Sequence, residues 1–216
     1  MPTEQNATQS EAAPLISFII PVYNLPEGLL RECIESIVAL RLMPSEREII
    51  VVDDGSDNNP LLSPTLYNGE GAGVPGAKAT LADEIACIRQ NHRGVSAARN
   101  LGLQAARGTY IQFVDGDDGL LKEAYGHVTD LLRCSRCDAV VFDFTDKRSG
   151  STVFDDRQWD SGTALMQSEN IHGAIWGYVF RRAVAGELRF TPGVCYGEDE
   201  EFTAQLMLRA ERILVT

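Results

Sequence analysis

Two apolar runs separated by a helical pattern constrain the fold more than any other feature of the sequence. Residues 15–22 (LISFIIPV) and 48–52 (EIIVV) are rich in β-branched residues and almost continuously apolar. Runs of this kind are typical of strands buried on both faces of a parallel sheet. Between them, apolar residues in 29–40 recur at helical spacing. A βαβ unit is therefore predicted near the start of the chain.

The same alternation of strands and helices continues along the sequence. Further strands are predicted at 85–88, 109–114 and 139–144, and further helices at 96–108, 121–132 and 200–211. The alternating order predicts one α/β domain over residues 14–216. Residues 1–13 are predicted to be a disordered leader. Residues 213–216 resemble the start of a strand, so we expect a truncated chain.

Two stretches carry no clear period. Residues 60–78 are rich in Gly and Pro and predict an irregular loop, with a short helix from Thr80. This loop contains a formal GxGxxG at 71–76, but the motif neither follows a strand directly nor opens a helix cleanly, because Pro75 lies inside it. A dinucleotide site is therefore disfavoured there. Residues 145–162 form a second, polar stretch without a pattern.

Composition excludes several classes of function. With 31 acidic against 19 basic residues, the formal charge of -12 would repel nucleic acid and anionic membrane surfaces, so we expect no nucleic acid partner. No apolar run approaches the roughly 20 residues of a membrane span. The five cysteines are read as reduced thiols of a cytoplasmic protein. Cys134 and Cys137 form a CxxC without a second pair, which favours packing over a zinc site.

Acidic segments follow two of the predicted strands. Residues 53–56 (DDGS) come directly after the second strand, and residues 115–118 (DGDD) after the strand at 109–114. Because ligands bind at the carboxyl ends of strands in open α/β sheets, both segments are expected to face one crevice, together with residues 21–24 (PVYN). Each segment alone could be an ordinary turn. Their joint placement favours a site for a hard divalent cation such as Mg²⁺ or Mn²⁺.

These motifs resemble the family 2 glycosyltransferases, whose nucleotide-binding fold is called GT-A. The resemblance lies in residues 17–24 (SFIIPVYN), 50–56 (IVVDDGS), 94–100 (GVSAARN) and 108–118 (GTYIQFVDGDD), and it continues with WGY at 176–178 and GED at 197–199. Order and spacing are preserved over roughly residues 15–216. The resemblance implies a Rossmann-like mixed central sheet flanked by helices. A regular second helix is usual in the family where this chain has its Gly-rich loop.

The resemblance also implies a donor site. Asp115 and Asp117 match the family's DxD motif, in which the first acid meets the sugar or ribose and the last, Asp117, meets the metal ion, Mn²⁺ or Mg²⁺. Arg99 could contact phosphate and sugar, or it could be a structural ion-pair partner of the acidic cluster. The residues assigned to the donor are Pro21, Tyr23, Asp53, Asp54, Arg93, Arg99, Asp115 and Gly116.

On the acceptor side, the resemblance assigns three residues. Asp199 matches the family's catalytic base, although acids at a helix start are favoured by the helix dipole in any case. Trp176 resembles an aromatic residue that packs near the acceptor sugar, and a plain core tryptophan is the alternative. Glu198 is placed beside them.

The activity implied is transfer of a sugar, with inversion, from a nucleoside-diphosphate sugar to an acceptor hydroxyl. A UDP-sugar is the family's commonest donor, and the expected acceptor is a glycan or lipid-linked molecule of cell-surface polysaccharide synthesis. We expect the protein in the cytoplasm or at the inner face of the membrane. A sugar nucleotidyltransferase is the nearest alternative, but such enzymes usually carry a Gly-rich basic loop where this chain has residues 21–24. A non-catalytic binding module is the other alternative, and it predicts no role for Asp199.

Overall fold

The computed structural model describes residues 12–58, 85–145, 153–169, 172–194 and 196–216. Eight strands lie in these ranges: β1 Ile16–Val22, β2 Arg47–Asp53, β3 Ile85–Arg89, β4 Tyr110–Phe113, β5 Ala139–Val141, β6 Arg157–Trp159, β7 Tyr178–Arg181 and β8 Ile213–Val215. The helices are α1 Glu27–Val38, α2 Val95–Ala105, α3 Lys122–Ser135, α4 Gly162–Ser168, α5 Arg182–Ala185 and α6 Glu198–Met207. Short 3₁₀ turns occupy Pro44–Glu46 and Ile175–Gly177.

All eight strands form one mixed sheet in the order β3-β2-β1-β4-β7-β5-β8-β6. Strands β3, β2, β1 and β4 are parallel neighbours, whereas β7 is antiparallel to both β4 and β5. From β1 the chain moves outward through β2 to β3 and then returns to place β4 on the other side of β1. This reversal between β1 and β4 is the topological switch point, where a crevice opens at the carboxyl ends of the strands.

Apolar side chains cover both faces of the sheet. On one face, α1 and α3 contribute Leu30, Ile37, Tyr125 and Val128 to a core with inward residues of β1 and β2. On the other face, α2 and α6 pack with inward residues of β4 and β7, and the largest side chains there are Tyr178, Phe113, Phe180, Phe190 and Phe202. The two layers explain why β1 and β2 are apolar along almost their whole length.

The sequence pattern predicted the strands of the parallel half of the sheet closely. Strands β1 to β4 and helices α1 to α3 lie within two residues of the predicted ranges, apart from the carboxyl ends of α2 and α3. The predicted α/β fold with a mixed central sheet is confirmed. The predicted strand at 139–144 is shorter, and residues 213–215 do form a strand, β8. The final helix is α6, which begins two residues earlier and ends four residues earlier than predicted.

The prediction of strict alternation was wrong in the second half. Strand β7 enters the sheet antiparallel between β4 and β5, directly after a 3₁₀ turn. The polar stretch contains the edge strand β6, whose residues are mostly exposed and therefore lack an apolar pattern. Predictions for residues 1–11, for the loop at 60–78 with its GxGxxG, and for the helix from Thr80 lie outside the described residues.

Candidate active site

The first acidic segment, after β2, is fully engaged with its own protein. Asp53 is 0% exposed, and its Oδ1 accepts hydrogen bonds from the backbone N–H and hydroxyl of Ser56 at 3.0 and 2.6 Å. Its Oδ2 pairs with Arg89 Nη1 at 2.8 Å. Arg89 also donates to the Ser56 carbonyl at 2.7 Å. Asp53 therefore closes the turn after β2 and binds it to the end of β3.

Asp54 lies at the amino end of α2 and is 2% exposed. Its Oδ1 accepts from Gln90 Nε2 at 2.6 Å and from the Arg93 backbone N–H at 2.9 Å, and its Oδ2 accepts from the Gly94 N–H at 2.8 Å. His92 Nδ1 lies 2.9 Å from Oδ2. A carboxylate is favoured at a helix amino terminus because unpaired N–H groups point toward it. The N–H groups that Asp54 binds belong to Arg93 and Gly94, which directly precede α2, so Asp54 holds the loop that leads into this helix.

The loops after β1 and β2 are joined side by side. The Asn24 backbone N–H donates to Ser56 Oγ at 2.8 Å, and the Asp57 N–H donates to Asn24 Oδ1 at 2.9 Å. Pro21, near the end of β1, is half-buried. Tyr23 is 47% exposed and stacks on His92 with ring centroids 4.1 Å apart and an interplanar angle of 24°. An exposed aromatic platform thus lies beside the Asp54 loop.

The second acidic segment, after β4, is open to solvent. Asp117 and Asp118 are exposed and Asp115 is partly exposed, and the side chains of Asp117 and Asp118 find no ionic or hydrogen-bond partner in the described ranges. Burial and the neighbouring carboxylates Asp115 and Asp117 raise the pKa of the Asp118 carboxyl above its ordinary value. Gly116 is buried against β1, where a Cβ would approach Leu25 Cδ2 to 2.6 Å and Val22 Cγ1 to 2.9 Å.

The negative field of this segment also reaches the core beneath it. Burial, together with the carboxylates of Asp118, Asp115 and Asp117, raises the pKa of the Cys33 thiol to about 12. Cys33 donates its S–H to the Asp115 carbonyl at 3.6 Å. Three acids in four positions, of which only Asp115 pairs with a cation in the described ranges, form a site that suits a hard divalent ion.

These carboxylates fit Mg²⁺ or Mn²⁺ that takes only part of its ligands from the protein. Over the described ranges, no group of three or more His, Cys, Asp or Glu side chains is arranged to enclose a metal ion. Mg²⁺ commonly takes one or two carboxylates and completes its shell with water and phosphate oxygens. The exposed carboxylates of Asp117 and Asp118 meet that requirement, and Asp115 is partly committed to Arg99.

Arg99 lies on α2 and connects the acidic groups across the crevice. It is 4% exposed, and its guanidinium pairs with Asp199, with Glu198 at 3.4 Å and with Asp115 at 3.4 Å. The face of the guanidinium lies over the Phe190 ring, 5.3 Å from its centroid. Arg99 is therefore an ion-pair partner of the acidic cluster in this structure, and its contact with a donor stays a prediction. Arg93, by contrast, presents an exposed side chain.

Asp199 lies in the first turn of α6. One carboxylate oxygen pairs with Arg99, and the other accepts from the Ile175 N–H at 3.3 Å. Burial raises the pKa of Asp199 above its ordinary value, and Arg99 and the Ile175 N–H oppose that rise. A cavity of about 250 Å³ opens beside it, lined by Gly173, Ala174, Tyr196, Gly197, Glu198, Asp199 and Glu200. Only a fifth of the Asp199 side chain is exposed.

Trp176 lies in the 3₁₀ turn before β7 and is partly buried. It stacks on His172 with centroids 5.1 Å apart and meets the exposed Phe144 edge-on at 5.2 Å. Its carbonyl accepts from Gln112 Nε2 at 2.6 Å, which ties the turn to β4. Trp176 is thus neither a plain core residue nor fully exposed, and it stands on the same polypeptide segment as Ile175, which contacts Asp199.

The structure brings most of the predicted residues to one crevice. Asp115, Glu198 and Asp199 meet at Arg99, and Tyr23, Asp53 and Asp54 lie in adjoining loops at the carboxyl ends of β1 and β2. The carboxylates of Asp53 and Asp54 are buried, so their direct contact with a donor stays a prediction. The sequence analysis gave neither His92 nor Arg89 a place in the site. The signal available was their position at the carboxyl end of β3, since Arg89 is its last residue and His92 lies in the loop that follows.

Comparisons with known proteins show what this chain is similar to. The family model described as Glycosyl transferase family 2 matches residues 17–189. A relative from Bacillus subtilis (strain 168), named uncharacterized glycosyltransferase EpsJ, is 32% identical over 213 residues, covering 93% of this chain and 58% of the relative. The chain therefore spans less than two thirds of that relative's length.

Solved structures share the fold. S. aureus TarS 1–349 in complex with UDP has a TM-score of 0.74 at 22% identity, covering 93% of this chain and 57% of that one. Mannosyltransferase PcManGT from Pyrobaculum calidifontis, in complex with GDP-Man and Mn²⁺, has a TM-score of 0.60 at 16% identity, covering 95% and 57%. The expected GT-A fold is thereby confirmed. With a family model matched over most of its length, the chain belongs to glycosyl transferase family 2.

Proposed function

We propose that this chain is the catalytic part of an inverting glycosyltransferase that moves a sugar from a nucleoside-diphosphate sugar to an acceptor hydroxyl. One observation carries the proposal. A partly buried carboxylate, Asp199, and the acidic segment at Asp115–Asp118 face each other across one crevice at the switch point of the sheet, with Arg99 between them. This arrangement supports the proposal, because a proton acceptor opposite a cation site suits the displacement of a diphosphate.

The nucleoside is proposed to lie on the Tyr23–His92 platform. A base ring can stack on the exposed tyrosine, and the adjoining loops of Pro21, Asp53 and Asp54 would border it. Arg93, whose side chain is exposed, is the candidate for contact with the diphosphate. TarS was solved with UDP and PcManGT with GDP-Man. A UDP-sugar is the first donor to test and a GDP-sugar the second.

The metal ion, Mn²⁺ or Mg²⁺, is proposed to bind at Asp117 with help from Asp118. When bound, such an ion neutralises the diphosphate charge that develops as the leaving group departs. PcManGT was solved with Mn²⁺. Asp115 would face the ribose or sugar, with Gly116 allowing close approach to β1, since a side chain there would strike Val22 and Leu25.

On the acceptor side, Asp199 is proposed as the general base. It would take the proton from the acceptor hydroxyl as that oxygen attacks the anomeric carbon from the face opposite the leaving diphosphate. The cavity beside Asp199 and Glu198 offers room for an acceptor group, and Trp176 supplies an aromatic surface nearby. The acceptor is proposed to be a glycan or lipid-linked molecule of cell-surface polysaccharide synthesis. No helix in the described ranges has the length and apolar character needed to cross a membrane.

The first test is calorimetric titration with UDP and GDP, with and without Mn²⁺. We expect metal-dependent binding of one nucleotide, abolished in Asp117→Ala because the metal loses its carboxylate. The matched control is Asp130→Ala, which removes a carboxylate that is 74% exposed on α3 and should leave binding within about twofold. Failure of both nucleotides to bind in the presence of metal would exclude the proposed donor site in this chain.

The second test separates the enzyme from its alternatives. With nucleotide-sugar donors and Mn²⁺, we expect Asp199→Asn to lower nucleoside-diphosphate release by about 10²- to 10⁴-fold while nucleotide binding is retained. Glu201→Gln, an exposed acid of the same helix, is the control and should keep most activity. Release of pyrophosphate from a nucleoside triphosphate and a sugar phosphate would identify a nucleotidyltransferase instead. Binding without any turnover would identify a binding module.

A further inference from the structure

Arg99 is a charged residue in a position where charge is costly. Its side chain is 5% exposed, and it lies among three carboxylates from two other parts of the chain, with Phe190 under its guanidinium face. Phe190 is itself fixed by a parallel stack on Phe202, 4.1 Å between centroids at 5°. The plane of the guanidinium is therefore held, and its two terminal nitrogens point to different partners. Nη1 faces Asp199 and Glu198, whereas Nη2 faces Asp115.

The Asp199 carboxylate is held from two sides. Arg99 contacts Oδ1 from α2, and the Ile175 N–H contacts Oδ2 from the 3₁₀ turn. The backbone carbonyl of Asp199 also accepts from Thr203 Oγ1 at 2.8 Å, and the same hydroxyl reaches the Gly173 carbonyl at 3.0 Å. Both carboxylate oxygens keep a further lone pair, so the group is fixed in orientation without losing its capacity to accept a proton.

The charges around Asp199 are mostly acidic. Glu198 and Glu200 come from its own helix, Asp115 comes from the end of β4, and Tyr196 lines the same cavity. Arg99 is the cation that faces Asp199 in the described part of the chain. Without it, burial and the neighbouring carboxylates would both favour the protonated acid, which cannot act as a base.

We infer that Arg99 is a positioning residue that fixes the Asp199 carboxylate against the Ile175 N–H and links it to Asp115 on the donor side. The inference rests on the proposed function, in which Asp199 is the base. Arg99 is not placed in contact with donor or acceptor. It acts through Asp199. The fork formed by its two terminal guanidinium nitrogens lets one side chain hold groups from both halves of the site, which an ammonium group cannot do.

The test measures Asp199 directly. The pKa of its carboxyl group is obtained in the wild-type chain from the ¹³C chemical shift of the carboxyl carbon as a function of pH. The resonance is assigned by its loss in Asp199→Asn. In Arg99→Gln we expect this pKa to rise by about 1 to 3 units. In Arg99→Lys, which keeps the charge without the fork, we expect a smaller rise. The control is Arg133→Gln, which breaks an ion pair to Glu46 at the opposite end of the sheet and should leave the Asp199 pKa unchanged.

Turnover supplies the second readout. The acidic limb of the pH profile of nucleoside-diphosphate release should move to higher pH by the same amount in Arg99→Gln, and kcat should fall at least about tenfold with nucleotide binding nearly unchanged. An Asp199 pKa that stays at the wild-type value in a folded Arg99→Gln variant overturns the inference, whatever the turnover. If Arg99→Gln does not fold, a wild-type pKa and wild-type kcat in Arg99→Lys overturn it.

The two proposals fail separately. A raised Asp199 pKa in the variant together with a wild-type chain that releases no nucleoside diphosphate from any donor supports the link between Arg99 and Asp199 and counts against the proposed function alone. Circular dichroism and thermal melting of each variant establish that the fold is retained before either readout is interpreted.

Discussion

The two acidic segments look alike in the sequence and behave differently in the structure. Asp53 and Asp54 are 0% and 2% exposed, and each of their carboxylate oxygens accepts from a donor of the same protein. Asp117 and Asp118 are exposed and face other carboxylates. The first segment holds the loops of the crevice in place, and the second presents its negative charge to whatever enters the crevice.

Neighbouring secondary structure explains this difference. The segment after β2 lies beside the end of β3 and the amino end of α2, which supply Arg89, Gln90 and backbone N–H groups. The segment after β4 lies at the switch point, where the next strand in the sheet, β7, runs the opposite way. In the described ranges, no donor from the neighbouring elements is bonded to the side chains of Asp117 and Asp118, which are exposed. A short acidic motif after a buried strand is therefore not a ligand site until its neighbours are known.

The largest expected effect is on stability, from the buried segment. Asp54→Ala removes a carboxylate that satisfies Gln90, His92 and two backbone N–H groups. We expect a loss of about 3 kcal/mol in the free energy of unfolding, because buried donors are left unpaired. Urea unfolding at pH 7 measures it. Asp117→Ala, from the open segment, is the matched control and should change stability by no more than about 0.5 kcal/mol. Equal urea midpoints for the two variants would contradict the difference between the buried and the open segment.

The glycine of the first segment and the glycine that follows the second segment should differ in the same direction. Gly55 has φ +80°, and a Cβ there would lie 2.7 Å from the His92 backbone nitrogen and 3.1 Å from the Gln90 carbonyl. Gly55→Ala should therefore cost about 2 kcal/mol, from the left-handed backbone and the displaced loop. Gly119→Ala is its control, because the nearest atom to that Cβ is 3.6 Å away on Ser36. Thermal unfolding of both variants makes the measurement, and a tolerated Gly55→Ala contradicts the close packing of this loop.

A carboxylate far from the crevice tests whether hydrogen bonds from the protein are the general reason why a buried carboxylate stabilises the fold. Glu48, at the start of β2, accepts from the Ser17 hydroxyl at 2.5 Å and from Arg107 N–H groups at 2.8 and 2.7 Å. Burial opposes ionisation, but these hydrogen bonds outweigh it and lower the pKa of Glu48 below 4.5. Its stabilisation is therefore complete at neutral pH and is lost as the pH falls through the folded-state pKa.

Glu48→Gln should be less stable than wild type by about 1 to 2 kcal/mol at pH 7. The difference should shrink below pH 4.5, as wild-type Glu48 becomes protonated too. Urea unfolding across this pH range follows the difference, and Glu32→Gln, an exposed acid on α1, is the control. A stability difference between wild type and Glu48→Gln that grows toward low pH would contradict a lowered pKa of Glu48 in the folded chain.

The smallest expected effect has the opposite sign and belongs to the open segment. Asp118→Asn relieves repulsion with Asp115 and Asp117, so the chain without metal should become more stable by a few tenths of a kcal/mol. Thermal melting in the presence of a chelator measures this gain, and Asp155→Asn, another exposed acid, is the control. Destabilisation by Asp118→Asn would mean that the segment has a stabilising partner inside the protein.

Much of the fold could be read from the sequence because the parallel strands are buried on both faces. Continuous apolar runs mark β1 and β2, and periodic apolar residues mark α1 and α3. The strands that were not predicted are short. Strand β6 is a three-residue edge strand with exposed side chains, and β7 enters the sheet against the direction of its neighbours. Neither leaves a period that sequence reasoning can detect.

For the site, the sequence by itself determined which residue types stand at the strand ends and that the chain resembles a known family. It could not determine which carboxylates are satisfied, because their partners come from distant parts of the chain. Asp54 and Gln90 are 36 positions apart, and Arg99 and Asp199 are 100 apart. Only the tertiary structure brings these groups within hydrogen-bonding distance. It thereby closes one acidic segment, leaves the other open, and pairs Arg99 with Asp199.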